Sequence, residues 1–249
     1  MRGSQRTLTS GESVSGMNIG SMYDDGTYED ESPDWHEGDA AWKAKQVADM
    51  LKAVGVRPKT LCDIGCGTGG VLEALRPVLP ETRLTGYELS RSALSLVPPD
   101  RREVVEFVTT PISQDQRTFD VALCLDVFEH VSDYYGFLQE VRAKADQVVF
   151  HIPIEHTLQT LVRPQGLKQR RLRLGHIHHF SQASAVDLLE SAGYRVARAR
   201  RTTPDFDRPP TTLRGWAHVG PKWLTWKLSP TVASQVFLNL PLLVFAISS

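Results

Sequence analysis

Apolar positions first recur at helical spacing between Ala41 and Val54, where Ala41, Trp42, Val47, Met50, Leu51 and Val54 form a stripe that ends at Gly55 and before Pro58. This stripe predicts a leading helix. From Thr60 onward, short apolar runs alternate with helical ones. The strand-like runs are 60–64, 83–87, 104–108, 119–125 and 147–152, with helical spacing over 68–76, 90–97 and 133–145 between them. That rhythm predicts an α/β fold built on a doubly wound, mostly parallel sheet. A further helix is expected from Ser181, whose hydroxyl can cap it, to Ala192, with Gly193 as its stop. Strands over 194–201 and 242–247 would complete the sheet.

Two connections, Pro153–Phe180 and Thr202–Pro241, are longer than a compact domain needs, and such loops are more often functional than idle. The second carries Trp216, Trp223 and Trp226 and reads as a stiff, partly apolar cover. The chain therefore divides into a disordered segment over 1–22, an arm and leading helix over 23–58, and a main domain over 59–249 with substrate-side insertions at 153–180 and 202–241. Tyr23–Asp39 holds eight acidic residues without a Lys or Arg, the composition of a solvated arm.

A chain of 249 residues buries enough surface to form a core without disulfide or metal staples. The net charge of -1, from 28 Lys plus Arg against 29 Asp plus Glu, offers no global attraction for nucleic acid or an anionic membrane. No nucleic-acid partner is expected. Cys62, Cys66 and Cys124 form no paired C-x-x-C knuckles, so neither a disulfide framework nor a zinc site is favoured and a reducing cytoplasm fits best. The first twenty residues lack the apolar core of a signal peptide, and Val232–Ile247 is too short and too interrupted by Pro241 to span a membrane.

Candidate chemistry concentrates after the first strand, in Asp63-Ile-Gly65-Cys66-Gly67-Thr-Gly69-Gly70. Glycines at a strand-to-helix turn permit a tight bend and close approach of a ligand to the backbone. Gly65, Gly67 and Gly70 also satisfy the dinucleotide fingerprint G-x-G-x-x-G, and an ordinary turn remains the plain reading. Glu88 ends the second strand, where a carboxylate can accept both ribose hydroxyl protons, or simply be solvated. Asp63 discriminates. A carboxylate two residues before the first glycine would face a ligand ammonium, which NAD lacks and S-adenosylmethionine has; its plain reading is a helix cap.

The motif Asp63–Gly69, the strand end Gly86-Tyr87-Glu88 and the run Phe119-Asp120-Val121 through Asp126-Val127-Phe128-Glu129-His130-Val131 resemble the class I S-adenosylmethionine-dependent methyltransferases. Gly175-His176 through Phe180, followed by a helix ending Ala192-Gly193-Tyr194, looks like the small-molecule branch, and the likeness covers roughly 39–201. The resemblance implies a Rossmann-like sheet of seven strands whose last strand is antiparallel. It also implies binding of S-adenosylmethionine by Asp63, Gly65, Cys66, Gly67, Gly69, Glu88, Leu89, Thr110 and Asp126. Two positions stay open. Thr109-Thr110-Pro111-Ile112 stands where the family often has an acidic residue near adenine, and Asp126 either touches cofactor or only starts a turn.

The expected reaction is methyl transfer to a small organic acceptor, most readily an oxygen. Leu125-Asp126-Val127-Phe128 lacks the Pro-Pro-aromatic platform used to hold a flipped base. An inactive cofactor-binding interaction module and an NAD-dependent oxidoreductase are the rivals. Among histidines, His130 ranks first as a base because it lies just beyond the fourth strand, followed by His178 and His156. His176-x-His178-His179 has no obvious carboxylate or Cys set nearby, so no metal is expected. Arg163, Lys168, Arg170, Arg171 and Arg173 read as a solvated helix face or as an electrostatic mouth for an anionic acceptor. Trp35, Trp42 and Lys43 either close over the cofactor or anchor the leading helix.

Overall fold

In a sheet buried on both faces, neighbouring residues of one strand must enter different halves of the core. Leu61, Val121, Leu123 and Val149 pack on one side of the sheet, and Cys62, Ala122, Cys124, Val148 and Phe150 on the other. The structure, a computed structural model, describes residues 37–207, 212–230, 232–233 and 239–249. The segment 1–22, most of the acidic arm and Trp35 lie outside the described residues.

The chain runs α1 (Glu37–Val54), β1 (Thr60–Ile64), α2 (Gly70–Leu75), β2 (Arg83–Tyr87), α3 (Arg91–Ser95), α4 (Arg101–Val104), β3 (Glu106–Val108) and β4 (Phe119–Leu125). It continues through α5 (Tyr134–Arg142), β5 (Ala145–Ile152), α6 (Leu158–Val162), α7 (Gln165–Leu174), α8 (Gln182–Ser191), β6 (Tyr194–Arg201), α9 (Pro204–Asp207), α10 (Leu213–Leu228) and β7 (Leu242–Ser248). The seven strands lie in the order β3–β2–β1–β4–β5–β7–β6. Strands β1 to β5 pair in parallel, while β7 runs antiparallel to both β5 and β6, as the resemblance implies. The strand order reverses between β1 and β4, and ligands of open α/β sheets bind at such a switch point, outside the carboxyl ends of the strands.

Local sequence explains the helix ends. Ser181 caps α8, its hydroxyl accepting a hydrogen bond from the Ser184 amide at 3.1 Å, and Gly193 stops the chain with φ +87°. Asp133 caps α5 by accepting from the Gly136 amide at 2.9 Å. Helix α1 buries Ala40, Ala44, Val47, Met50 and Leu51, so the buried stripe is shifted from the expected one: Ala41 is exposed and Trp42 and Val54 are half-buried.

Three further expectations are corrected. Residues 101–104 wind into a helical turn, leaving β3 only three residues long, and the turn carries Arg101 inward to Glu37 and Glu73. The connections 153–180 and 202–241 are not plain loops: the first contains α6 and α7 and the second α9 and α10. Glu37, assigned to a solvated arm, sits in the first turn of α1 and pairs with Arg101 at 2.5 Å.

Candidate active site

The turn after β1 takes a left-handed backbone path that its glycines permit. Gly65, Gly67 and Gly69 have φ of +71°, +56° and +82°, and a Cβ on Gly69 would lie 2.6 Å from the Phe107 ring. The Gly65 and Cys66 amides bond to the Tyr87 carbonyl at 2.8 and 3.1 Å, which ties the turn to the end of β2. Glu88 completes the link. Its carboxylate accepts from the Gly67 amide at 2.9 Å and from the Ser90 amide at 2.7 Å. Burial raises its pKa, against the lowering effect of those amide bonds.

Behind the turn, Arg101 is buried with its guanidinium between Glu37 and Glu73, and it donates to the Thr68 carbonyl at 3.0 Å. Thr68 donates its hydroxyl to Glu37. This clamp fixes α1, α2 and the glycine turn to one another, and nothing local in the sequence announces it. Arg101 stands 64 residues from Glu37.

Above the turn lies a cavity of about 750 Å³. Asp63, Gly65, Cys66, Gly67, Glu88 and Leu89 line one end, with Thr110 at the rim and Ile112 beneath it. Gly69 stands just behind, buried against Phe107. Asp63 is 3% exposed, and its Oδ1 has no hydrogen-bond partner. Burial pushes its carboxyl up to about 7, opposed by Lys43 and assisted by the charge on Glu88. Cys66 is an inert wall of this end: burial holds its thiol well above the usual range, and its sulfur packs so closely on Gly86 that a Cβ there would stand 2.6 Å away.

The other end is assembled from distant segments. Asp126, at the end of β4, has a left-handed backbone with φ +59°, which re-aims its carboxylate toward β5 and α1. His151 Nδ1 lies 2.8 Å from Oδ1, and Lys43 Nζ lies 2.8 Å from Oδ2. Burial alone would raise the Asp126 pKa, but the contacts with His151 and Lys43 hold it well below the usual carboxylate range. Asp126, Lys43, Trp42 and His151 all line the cavity, so Lys43 serves both as an anchor of α1 and as a wall of the site. For Lys43 the sequence leaves open a place over the cofactor or in the anchor of the leading helix, and for His151 it offers no signal of a place in the site.

His130 lies on the short 3-10 turn Phe128–His130 and lines the cavity together with His176. The other two candidate bases lie elsewhere. His178 does not line the cavity: its Nε2 donates to the Val131 carbonyl at 3.0 Å and its ring packs edge-on against Tyr134. His156 is exposed and lines a separate hollow beside α6 and α8. Trp216 and Trp223 are exposed on α10 and are also absent from the cavity wall, which the second connection reaches through Pro204 and Pro241. A carboxylate does stand beside the histidine cluster, contrary to expectation. Glu155 is buried, with His176 Nδ1 at 3.0 Å and His179 Nδ1 at 2.5 Å. Half-buried Arg170 joins it at 3.1 Å, while α7 buries no residue, as a solvated face requires.

The sequence profile of the methyltransferase-domain family matches residues 35–199, about two thirds of the chain. The chain belongs to that family. The matched span runs from α1 to β6 and takes in both ends of the cavity of this methyltransferase-domain protein. Among curated relatives, the ubiquinone biosynthesis O-methyltransferase of Actinobacillus pleuropneumoniae serotype 7 (strain AP76) is 28% identical over 120 residues, 43% of this chain and 50% of the relative. The match thus spans about half the length of that protein. Among solved structures, magnesium protoporphyrin IX methyltransferase from Synechocystis PCC 6803, with bound S-adenosylmethionine, superposes with a TM-score of 0.60 at 15% identity, covering 95% of this chain and 100% of that one. The plantazolicin methyltransferase BpumL, in complex with a monoazolic desmethylPZN analog and SAH, also gives 0.60 at 15% identity over 93% of both chains. These likenesses establish the Rossmann-like methyltransferase fold.

Proposed function

We propose that the chain transfers a methyl group from S-adenosylmethionine to an oxygen of a small organic acceptor. The observation that carries this reading is Asp63: a carboxylate buried beside a glycine turn with one oxygen lacking a partner fits the ammonium of the methyl donor and has no counterpart in NAD. The donor supplies an electrophilic methyl carbon on a sulfonium. Gly65 and Gly67 leave the backbone open to it, Glu88 offers its remaining lone pairs to the ribose hydroxyls, and Leu89, Thr110 and Ile112 form the wall on the adenine side.

The acceptor occupies the opposite end, between Asp126 and His130. There the chain has to exclude water and hold the nucleophile in line, which carries much of the rate in a displacement reaction. His151 is engaged at both nitrogens, by Asp126 and by Thr202 Oγ1 at 3.0 Å, and therefore positions Asp126. His130 is left as the residue that activates the acceptor hydroxyl. The exposed cations Arg163, Lys168, Arg171 and Arg173 stand on or next to α7, whose last residue, Leu174, lines the cavity. They favour an anionic acceptor.

Titration calorimetry with S-adenosylmethionine and with NAD, followed by an acceptor screen with labelled methyl donor, tests the reading. Donor binding with label appearing as a methyl ether or ester supports it. NAD binding without affinity for the methyl donor overturns it, and donor binding without transfer to any acceptor points to an inactive module.

A further inference from the structure

Glu129 stands out among the described residues. It is 0% exposed, both carboxylate oxygens lack a hydrogen-bond partner, and the reaction proposed above makes no use of it. A carboxylate taken out of water without a partner costs several kcal/mol, so such a group takes up a proton or a cation. Lys43, a nearby cation, is already committed to Asp126.

Two imidazoles face the same point. One ligand atom from each of Glu129, His130 and His176 lies within 4.8 Å of the others, and His130 Nε2 is 3.9 Å from Glu129 Oε1. The two rings meet edge to face with centroids 4.9 Å apart. Ligand atoms about 2.1 Å from a shared ion stand roughly 3 to 4 Å apart, so the group closes on a cation by shifts of less than about 1 Å.

The surroundings are those of a built site. His176 Nδ1 is held by Glu155, which leaves Nε2 as the ligand atom, and Glu155 is in turn fixed by Arg170 and His179. A carboxylate behind a histidine is the usual means of orienting a metal ligand. The Ile177 and His178 amides also bond to the Glu129 carbonyl, at 3.0 and 3.1 Å, so the two segments that supply the ligands are locked together by backbone. His130 and His176 line the cavity, so an ion between them would keep coordination positions open toward it.

We infer that Glu129, His130 and His176 form a binding site for one divalent first-row transition-metal ion at the acceptor end of the cavity. Two imidazoles and one carboxylate suit Zn2+, Mn2+ or Co2+ better than the all-oxygen preference of Mg2+ or Ca2+. What the ion does rests on the methyl-transfer reading: it would bind the acceptor oxygen through an open position and lower the pKa of its hydroxyl, the proton leaving to solvent. On this view His130 activates the acceptor through the ion. That an ion is held does not depend on the reaction.

The test uses the full chain, freed of metal with a chelator and titrated with Co2+ under visible absorption and with Zn2+ and Mn2+ by calorimetry. The expected result is one Co2+ per chain, with d–d bands and micromolar or tighter affinity. Glu129→Gln and His176→Ala should weaken binding by roughly 100-fold, and Glu155→Gln by ~10-fold to 100-fold through the lost orientation of His176. Circular dichroism confirms that each variant is folded, and Glu155→Gln carries the test if Glu129→Gln does not fold. Absence of cobalt bands and of binding heat in the folded wild type overturns the inference, as does equal affinity in wild type and the folded variants. Binding of S-adenosylmethionine to the same metal-free chain, measured separately, shows whether a failure belongs to this site or to the methyl-transfer reading.

Discussion

The two ends of the cavity are built in different ways. The donor end comes mostly from one strand, one turn and the end of the neighbouring strand, within residues 63–89, with Thr110 and Ile112 added from the segment after β3, and its shape follows from glycines whose positive φ no other residue adopts easily. The acceptor end joins α1, the ends of β4 and β5, the segment after α7 and the approach to β7, with partners 25 residues apart for Asp126 and His151 and 51 apart for His151 and Thr202. A site made of consecutive residues is held by local backbone geometry. A site made of distant residues is held by paired charges, and it can change its substrate without disturbing the first.

If the two ends are separable, variants should split their effects cleanly. The largest split is expected for His130→Ala, which should cut turnover by ~10²-fold or more while donor affinity stays within about twofold. Single-turnover kinetics beside calorimetry measures both, and parallel losses would show that the two ends act as one unit. Next, Asp63→Asn should weaken the donor by ~10-fold to 100-fold, the scale of one charge-assisted hydrogen bond, with the acceptor KM little changed.

The same Asp63→Asn variant should gain stability. Burial lifts the folded pKa of Asp63 from 3.8 to about 7, so the folded state holds its proton more tightly than the unfolded chain. Its contribution therefore favours folding below pH 3.8 and is lost as pH rises through about 7. Above that pH the neutral Asn removes a buried charge, and the ligand-free melting temperature should rise by several degrees, about 2 to 4 °C per kcal/mol. An unchanged or lower melting temperature would mean that Asp63 is well solvated or paired in solution.

A pH series sharpens the same point more gently. An ammonium needs the ionised carboxylate, so donor affinity should fall up to tenfold per unit as pH drops below about 7, and Asp63→Asn should flatten that dependence. The smallest effect belongs to the acceptor side. Lys168→Ala with Arg171→Ala should raise the KM of an anionic acceptor about twofold to threefold at low ionic strength and have no effect in high salt. A salt-independent KM would remove these cations from acceptor binding.

How much of this the sequence discloses follows the same division. The glycine turn, Glu88 and the capped helix after Ser181 are legible because the residues that make each of them are neighbours along the chain. The stripe of α1 is half legible: the period is plain, but which face is buried depends on α2, whose Gly70 lets Ala40 approach so closely that an added Cβ would stand 2.9 Å from it. The pairing of Glu37 with Arg101, of Lys43 with Asp126 and of Glu155 with His176 and His179 is not legible, since charged side chains carry no periodic signal of their partners. The wide connections misled in the opposite sense, because Pro and Trp suggested loops where helices form, one of them the 16-residue α10. Thr157 and Thr160 make a capping box at the start of α6, a signal visible in the sequence and unused.

The place of β7 has a consequence for how the protein is made. Strand β7 leaves the ribosome after β6 but lies between β5 and β6, so β6 has no neighbour in the sheet when it first emerges. At ~5 to 20 residues per second, the interval from the end of β6 to the end of β7 lasts roughly 2 to 10 seconds. Until β7 arrives, the edge of β5 that it covers has no strand to pair with, and an unpaired edge is a template for pairing with another chain.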